Sequence, residues 1–250
     1  MKFAFMLLSF VFCGTLFSQD EVWKSASKES EAYHNSRLIL TTPPYGLSKV
    51  KELIKTIKYT EDEDGDGDGG RKLDDNKYQK LSFREKFTYN LIHAESYSQN
   101  CDAMPPVQDE HKKIFPYLPD AFGEYHWSAR QTDFFETNKD SVIALMTESI
   151  KRTGKVGLNF KYVIWAIKSK AIIPVLLETY KKNKSQKDLD ILTIFMLLMK
   201  ENNWEPFLKT ASYKKLYDEM ADYRAYLNYN KANEDLIIQR VTEFYNAPGK

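Results

Sequence analysis

Apolar residues recur at helical spacing through most of the second half of the chain and in two stretches of the first. In residues 47–59, Val50, Leu53, Ile54 and Ile57 stand three and four apart, which places them on one face of a helix. A second helix is expected over residues 81–100, with Phe83, Phe87, Leu91 and Ala94 as its apolar stripe. Further on, residues 140–152, 158–168, 170–182 and 188–200 each carry an apolar face, and polar turns at 153–157 and 183–187 separate them. Residues 19–45 are polar and mixed, and Thr42-Pro43-Pro44-Tyr45-Gly46 predicts a turn or extended segment. Between 101 and 138, Pro105, Pro106, Pro116 and Pro119 break any long helix, leaving loops with one short helix near residues 111–117. No stretch alternates as a half-buried strand does, so the expected class is all-α.

The apolar helices of the second half repeat. Laying residues 140–152 over 170–182 matches Val142 with Ile172, Leu145 with Val175, Met146 with Leu176, Glu148 with Glu178 and Ile150 with Tyr180. A third copy begins at Asn203-Trp-Glu-Pro-Phe-Leu208, where Pro206 and Leu208 align with Pro174 and Leu176. A period of roughly 30 to 35 residues filled by two helices predicts stacked helical hairpins, because one hairpin cannot bury its apolar face alone. Ala171-Ile-Ile-Pro-Val-Leu-Leu-Glu-Thr-Tyr180 resembles the first helix of a HEAT-type repeat, and residues 189–199 would be its inward-facing second helix. The resemblance spans residues 139–217 and implies an α-solenoid with a scaffold or binding role, without catalytic residues. An ordinary helical bundle is the alternative. The expected organisation is therefore an irregular helical region over 19–138 and helical hairpins over 139–250, stacked as a short solenoid or as a bundle.

The chain opens on Met1-Lys2 and an apolar run from Phe3 to Phe12 that ends near Ser18, the pattern of a secretory signal peptide. Residues 1–18 are expected to be removed, leaving Gln19 first, and the product to be secreted or periplasmic. Cys13 raises the alternative of a lipid anchor, but bulky Val11 and Phe12 precede it. No transmembrane segment is expected after cleavage, and a mature chain with Cys101 as its one cysteine forms no internal disulfide. The whole chain carries 36 basic and 35 acidic residues, which argues against a nucleic-acid partner. Residues 151–250 nevertheless hold 18 Lys and Arg against 11 Asp and Glu, so this half could meet an acidic partner or the acidic first half.

One low-complexity segment, Glu61-Asp-Glu-Asp-Gly-Asp-Gly-Asp-Gly-Gly70, invites comparison with a calcium loop. With Asp64 at position 1, Asp66 and Asp68 fall at 3 and 5 and Gly69 at the sharp turn. Asp75 then stands at position 12, where a strong site uses the longer, bidentate glutamate. The segment resembles an EF-hand loop in its first half, and calcium held by Asp64, Asp66, Asp68 and Asp75 is one expectation. A solvated insertion is the other.

Two more places could carry chemistry. Tyr89, His93, Tyr97 and Asn100 would share one side of the helix expected over 81–100, as a pocket lining or as a hydrogen-bonded seam. The segment Phe122-Gly-Glu-Tyr-His-Trp-Ser-Ala-Arg130 sets Glu124, His126, Trp127 and Arg130 among aromatics that could stack on a sugar or peptide. The four histidines have no metal-ligand spacing, and no phosphate loop or nucleophile elbow is present. The leading expectation is an exported binding or scaffold module for a protein or peptide partner. The alternative is an extracytoplasmic hydrolase with His93, Glu124 and His126 as acid-base groups.

Overall fold

Several helix starts, those of Ser27, Asp74, Ser82, Thr210 and Asn230, carry a side chain that accepts one of the backbone N–H groups a helix leaves free. The computed structural model describes residues 25–60, 69–99, 104–183, 187–222 and 224–248. Ser27 caps α1 (Lys28–Arg37), accepting from Ser30 N at 3.2 Å, and α2 (Leu47–Lys55) starts from Gly46 in a left-handed turn. Asp74 caps α3 (Asp75–Gln79), and Ser82 with Glu85 forms a reciprocal capping box at α4 (Phe83–Ile92). Then come β1 (Ser96–Tyr97), a 3-10 turn at Glu110–Lys112, β2 (Lys113–Ile114), β3 (Tyr125–His126) and α5 (Ala129–Thr137). α6 (Lys139–Thr153) ends on left-handed Gly154, and α7 (Leu158–Ile167) follows. After a 3-10 turn at Lys170–Ile172, α8 (Ile173–Lys182) carries Pro174 in its first turn, where a missing N–H is no loss. The chain closes with α9 (Asp190–Glu201), α10 (Glu205–Leu208), α11 (Ala211–Tyr217), β4 (Leu227–Asn228) and α12 (Lys231–Asn246).

The protein is thus mostly α-helical, and α9 is its centre. Every residue from Asp190 to Met199 is buried, so this helix is covered on all sides. α7, α8, α10, α12 and β2 pack around it. Each of its buried aliphatic or aromatic side chains contributes about 1.5–3 kcal/mol over the exposed state. The same core extends to Tyr33, Phe87, Leu91, Ile114, Phe134 and Phe135 of the first half, and a smaller cluster of Val50, Leu73, Tyr78, Leu81 and Tyr89 lies beside it. The strands are brief antiparallel ties: β1 pairs with β3, and β2 pairs with β4.

The overlaid helices share their burial pattern. Val142, Leu145, Met146 and Ile150 of α6 are buried, as are Ile172, Val175, Leu176 and Tyr180 at the matching positions, while Glu148 and Glu178 are both exposed. α6 packs on α8, and α7 packs on α9. The third copy departs: Thr210 caps a new helix by accepting from Tyr213 N, so the segment is cut into α10 and α11, and α12 covers α9 instead.

Other boundaries differ from expectation for physical reasons. The helix expected over 81–100 stops at Ile92, and His93 is extended (φ −147°). Past that point the backbone finds partners elsewhere: Gln131 accepts from Glu95 N and donates to His93 O, while Arg71 N donates to Glu95 O. Tyr89, His93 and Tyr97 therefore do not form one helical stripe, and Asn100 lies outside the described residues. The helix expected near 111–117 is the 3-10 turn at Glu110–Lys112 running into β2. α5 stands where loops were expected, and α1 and α3 lie in stretches where no helix was expected. Two-residue strands such as β1 are too short to show alternation in sequence.

Candidate functional site

Glu95 is the hub that gathers the candidate residues, and its carboxylate is buried beneath α4 and α5. Tyr89 OH, on the last turn but one of α4, donates to Glu95 Oε1 at 2.6 Å. From the start of α5, Ser128 Oγ donates to Oε2 at 2.6 Å and Arg130 Nε at 2.8 Å, and Arg130 Nη2 reaches Oε1. Leu73 N adds a long contact at 3.4 Å. Burial opposes ionisation of this carboxyl, but the bonds from Arg130, Ser128 and Tyr89 outweigh it and hold Glu95 below the ordinary range. Burial first, and then the Glu95 charge, pushes the Tyr89 phenol up, so it stays a donor.

Arg130 ties three segments together. Its Nη1 donates to Asp75 Oδ1 at 2.5 Å and its Nη2 to Leu73 O at 2.6 Å, while the guanidinium lies 4.2 Å from the Tyr78 ring centre. Asp75, the closing position of the expected calcium loop, is thus already paired, and Lys72 stands 3.4 Å away. Asp64, Asp66 and Asp68 lie outside the described residues. The flanks of their segment are fixed: Thr60 and Gly70 exchange two backbone hydrogen bonds of 2.9 Å, and Tyr97 N donates to Gly69 O at 3.0 Å. Gly70 is needed there, because a Cβ would sit 2.1 Å from Glu95 O.

The acid-base candidates scatter among separate partners. His93 Nε2 donates to Arg71 O at 2.6 Å, which places the proton on that nitrogen, and burial pushes the ring's pKa down, so the neutral form dominates at pH 7. His126 and Glu124 are exposed beside β3, with His126 Nδ1 3.3 Å from Ser98 Oγ and Glu124 O accepting from Ser98 N. Tyr97 is edge-on to Tyr125. Trp127 is half-buried; its Nε1 donates to Asn90 O at 2.7 Å and its ring packs on Phe135 and Phe122. The structure therefore brings Tyr89, Arg130 and Asp75 around Glu95, with the His93 ring tilted against Tyr89. It does not join His93, Glu124 and His126 by any shared hydrogen bond among the described residues.

Sequence reasoning missed Glu95, Ser128 and Gln131. Of the three, the serine and glutamine carry a legible sign, since Ser-x-x-Gln is a helix-start pattern and Gln131 Oε1 accepts from Ser128 N. A carboxylate with every lone pair engaged is a structural tie rather than a base. Among the described residues, no group of three His, Cys, Asp or Glu is arranged to hold a metal ion, and no helix is long and apolar enough to cross a membrane. No protein-family model matches the chain, no curated protein is significantly similar to it, and no solved structure matches it.

Proposed function

We propose that this chain is an exported helical scaffold that binds a protein or peptide partner, with its second half stacked as a short HEAT-like array. The observation that carries the reading is the side-by-side packing of equivalent helices, α6 on α8 and α7 on α9, which is how successive hairpins of an array meet. The register supports it too: Lys182 and, from the neighbouring helix, Lys151 hold the Glu178 carboxyl below its ordinary value. In the overlay Lys151 and Arg152 match Lys181 and Lys182, and all four are exposed in the last turns of α6 and α8. Cations favour helix C-termini in any case. Two adjacent helices ending in the same basic pair also make a rim that suits an acidic segment of the partner.

The test uses the mature chain as bait. Native protein recovered outside the cytoplasm should have the intact mass of a chain lacking about its first 18 residues, as the apolar h-region implies. The bait should retain a partner, and Lys151→Glu with Lys181→Glu should weaken that binding at least roughly tenfold. An unprocessed cytoplasmic chain, or retention indifferent to the charge reversal, overturns the reading.

Calcium binding at Asp64, Asp66 and Asp68 is a second proposal, motivated by their spacing and by the paired flanks at Thr60 and Gly70. Asp75 would have to trade Arg130 for the ion, so the expected affinity is weak, about 0.1–1 mM. Calorimetry on the mature chain should show one binding event, and free calcium at roughly 100 times the dissociation constant should raise stability by about 2.7 kcal/mol. No heat, with identical melting in calcium and in chelator, leaves the segment a solvated insertion.

A further inference from the structure

α1 is attached to the body in an unusual way. Of its ten residues, Ser30, Tyr33 and Arg37 are the buried ones, and none is aliphatic. Its hold is polar. Arg37 Nε donates to Asp190 Oδ1 at 3.0 Å and Oδ2 at 3.2 Å, and Nη1 donates to Glu110 Oε1 at 2.7 Å. The guanidinium lies 4.8 Å from the Phe115 ring centre. His34 Nδ1 donates to Glu110 at 3.0 Å, and Tyr33 OH accepts from Leu189 N at 3.0 Å. Just past α1 the chain is pinned: Thr41 N donates to Asn159 Oδ1, Asn159 Nδ2 to Thr41 O, and Gly157 N to Thr41 Oγ1. Gly157 permits that approach, since a Cβ would stand 2.2 Å from Thr41 N.

The groups that receive Arg37 all belong to the body, and Glu110 is also held by α1 through Ser30 Oγ, which accepts from its N–H. Asp190 lies on α9, Glu110 on the 3-10 turn before β2, and Phe115 just after that strand. Lys161 of α7 donates to Asp188 at 2.7 Å and approaches Asp190 at 3.4 Å. With Arg37 and His34 taken away, the body presents Glu110, Asp188 and Asp190 against Lys161, three negative charges to one positive. Two carboxylates and an aromatic face are what a planar guanidinium selects over a point cation.

We propose that this cluster is a guanidinium-binding site held in cis by α1, a strap that swings on the pinned residues 39–41 and yields its place to an arginine-bearing segment of a partner. With Tyr33 as its one core side chain, α1 opens at lower cost than α9, whose residues from Asp190 to Met199 are all buried. The site takes a ligand of charge opposite to that suited by the basic rim of α6 and α8.

The experiment is native-state amide exchange on the mature chain, comparing α1 with α9 under increasing sub-denaturing urea. The α1 amides should open at lower urea than those of α9. A short tetra-arginine peptide should speed α1 exchange roughly tenfold while leaving α9 unchanged, and its tetra-citrulline counterpart, neutral and of the same shape, should not. Opening of α1 and α9 as one unit overturns the strap, and equal effects of the two peptides overturn the guanidinium site.

Discussion

Asp190→Ala is expected to cost about 3–5 kcal/mol of stability, because it strips the shared counter-ion from two buried cations. Asp190 is 2% exposed, and Arg37 and Lys161 are nearly as deep. Burial works against ionised Asp190, but Arg37 and Lys161 outweigh it and keep the carboxyl below its ordinary 3.8. A depressed carboxylate contributes its stability above the unfolded value and loses it as pH falls through the folded one. The penalty should therefore be constant from about pH 5 to 8 and shrink only below about pH 4. Urea melts with an unchanged slope would report it directly. A loss under about 1 kcal/mol at pH 7 would mean that the pairs behave as solvated surface contacts.

That ion cluster also explains what the sequence hid. Arg37 and Asp190 stand 153 residues apart, and nothing in local spacing joins them. α1 was invisible for the same reason: its inward positions are Ser30, Tyr33 and Arg37, so the stripe that betrays a surface helix is absent. By contrast α2, α6, α7, α8 and α9 were legible because aliphatic side chains at helical spacing bury against one another. Even there the ends moved, as at Thr56, whose hydroxyl donates to Leu53 O just past α2, where periodicity ran on to Tyr59.

The candidate site was half legible. Tyr89 and Arg130 stood out as polar groups among aromatics, yet Glu95, which binds both, reads in sequence as an exposed helical residue. It is buried because the strand-like pairing with Arg71 and Gly70 ends α4 early and turns Glu95 inward, a tertiary effect that overrides helix propensity. The repeat overlay fared better in its burial pattern than in its third copy. There Pro206 starts a helix as Pro174 does, but Thr210 restarts the chain one turn later.

The central helix sets the second large effect. Leu198 is fully buried on α9, so Leu198→Ala should cost about 2–5 kcal/mol. Leu176 and Phe195 are as deep and belong to the same core, and comparable losses are expected for their truncation. Trp165 is only partly buried, packing at the core edge against Tyr162, so Trp165→Ala should cost less per atom removed. Lys181→Ala, exposed at the end of α8, is the reference and should stay within about 0.5 kcal/mol of the parent chain. The ordering of Leu198 over Trp165 over Lys181 in one series of thermal or urea melts is the decisive readout. A Leu198→Ala chain that melts with the Lys181→Ala chain would mean that α9 is not enclosed, and the packing of α7, α8, α10 and α12 around it would have to be given up.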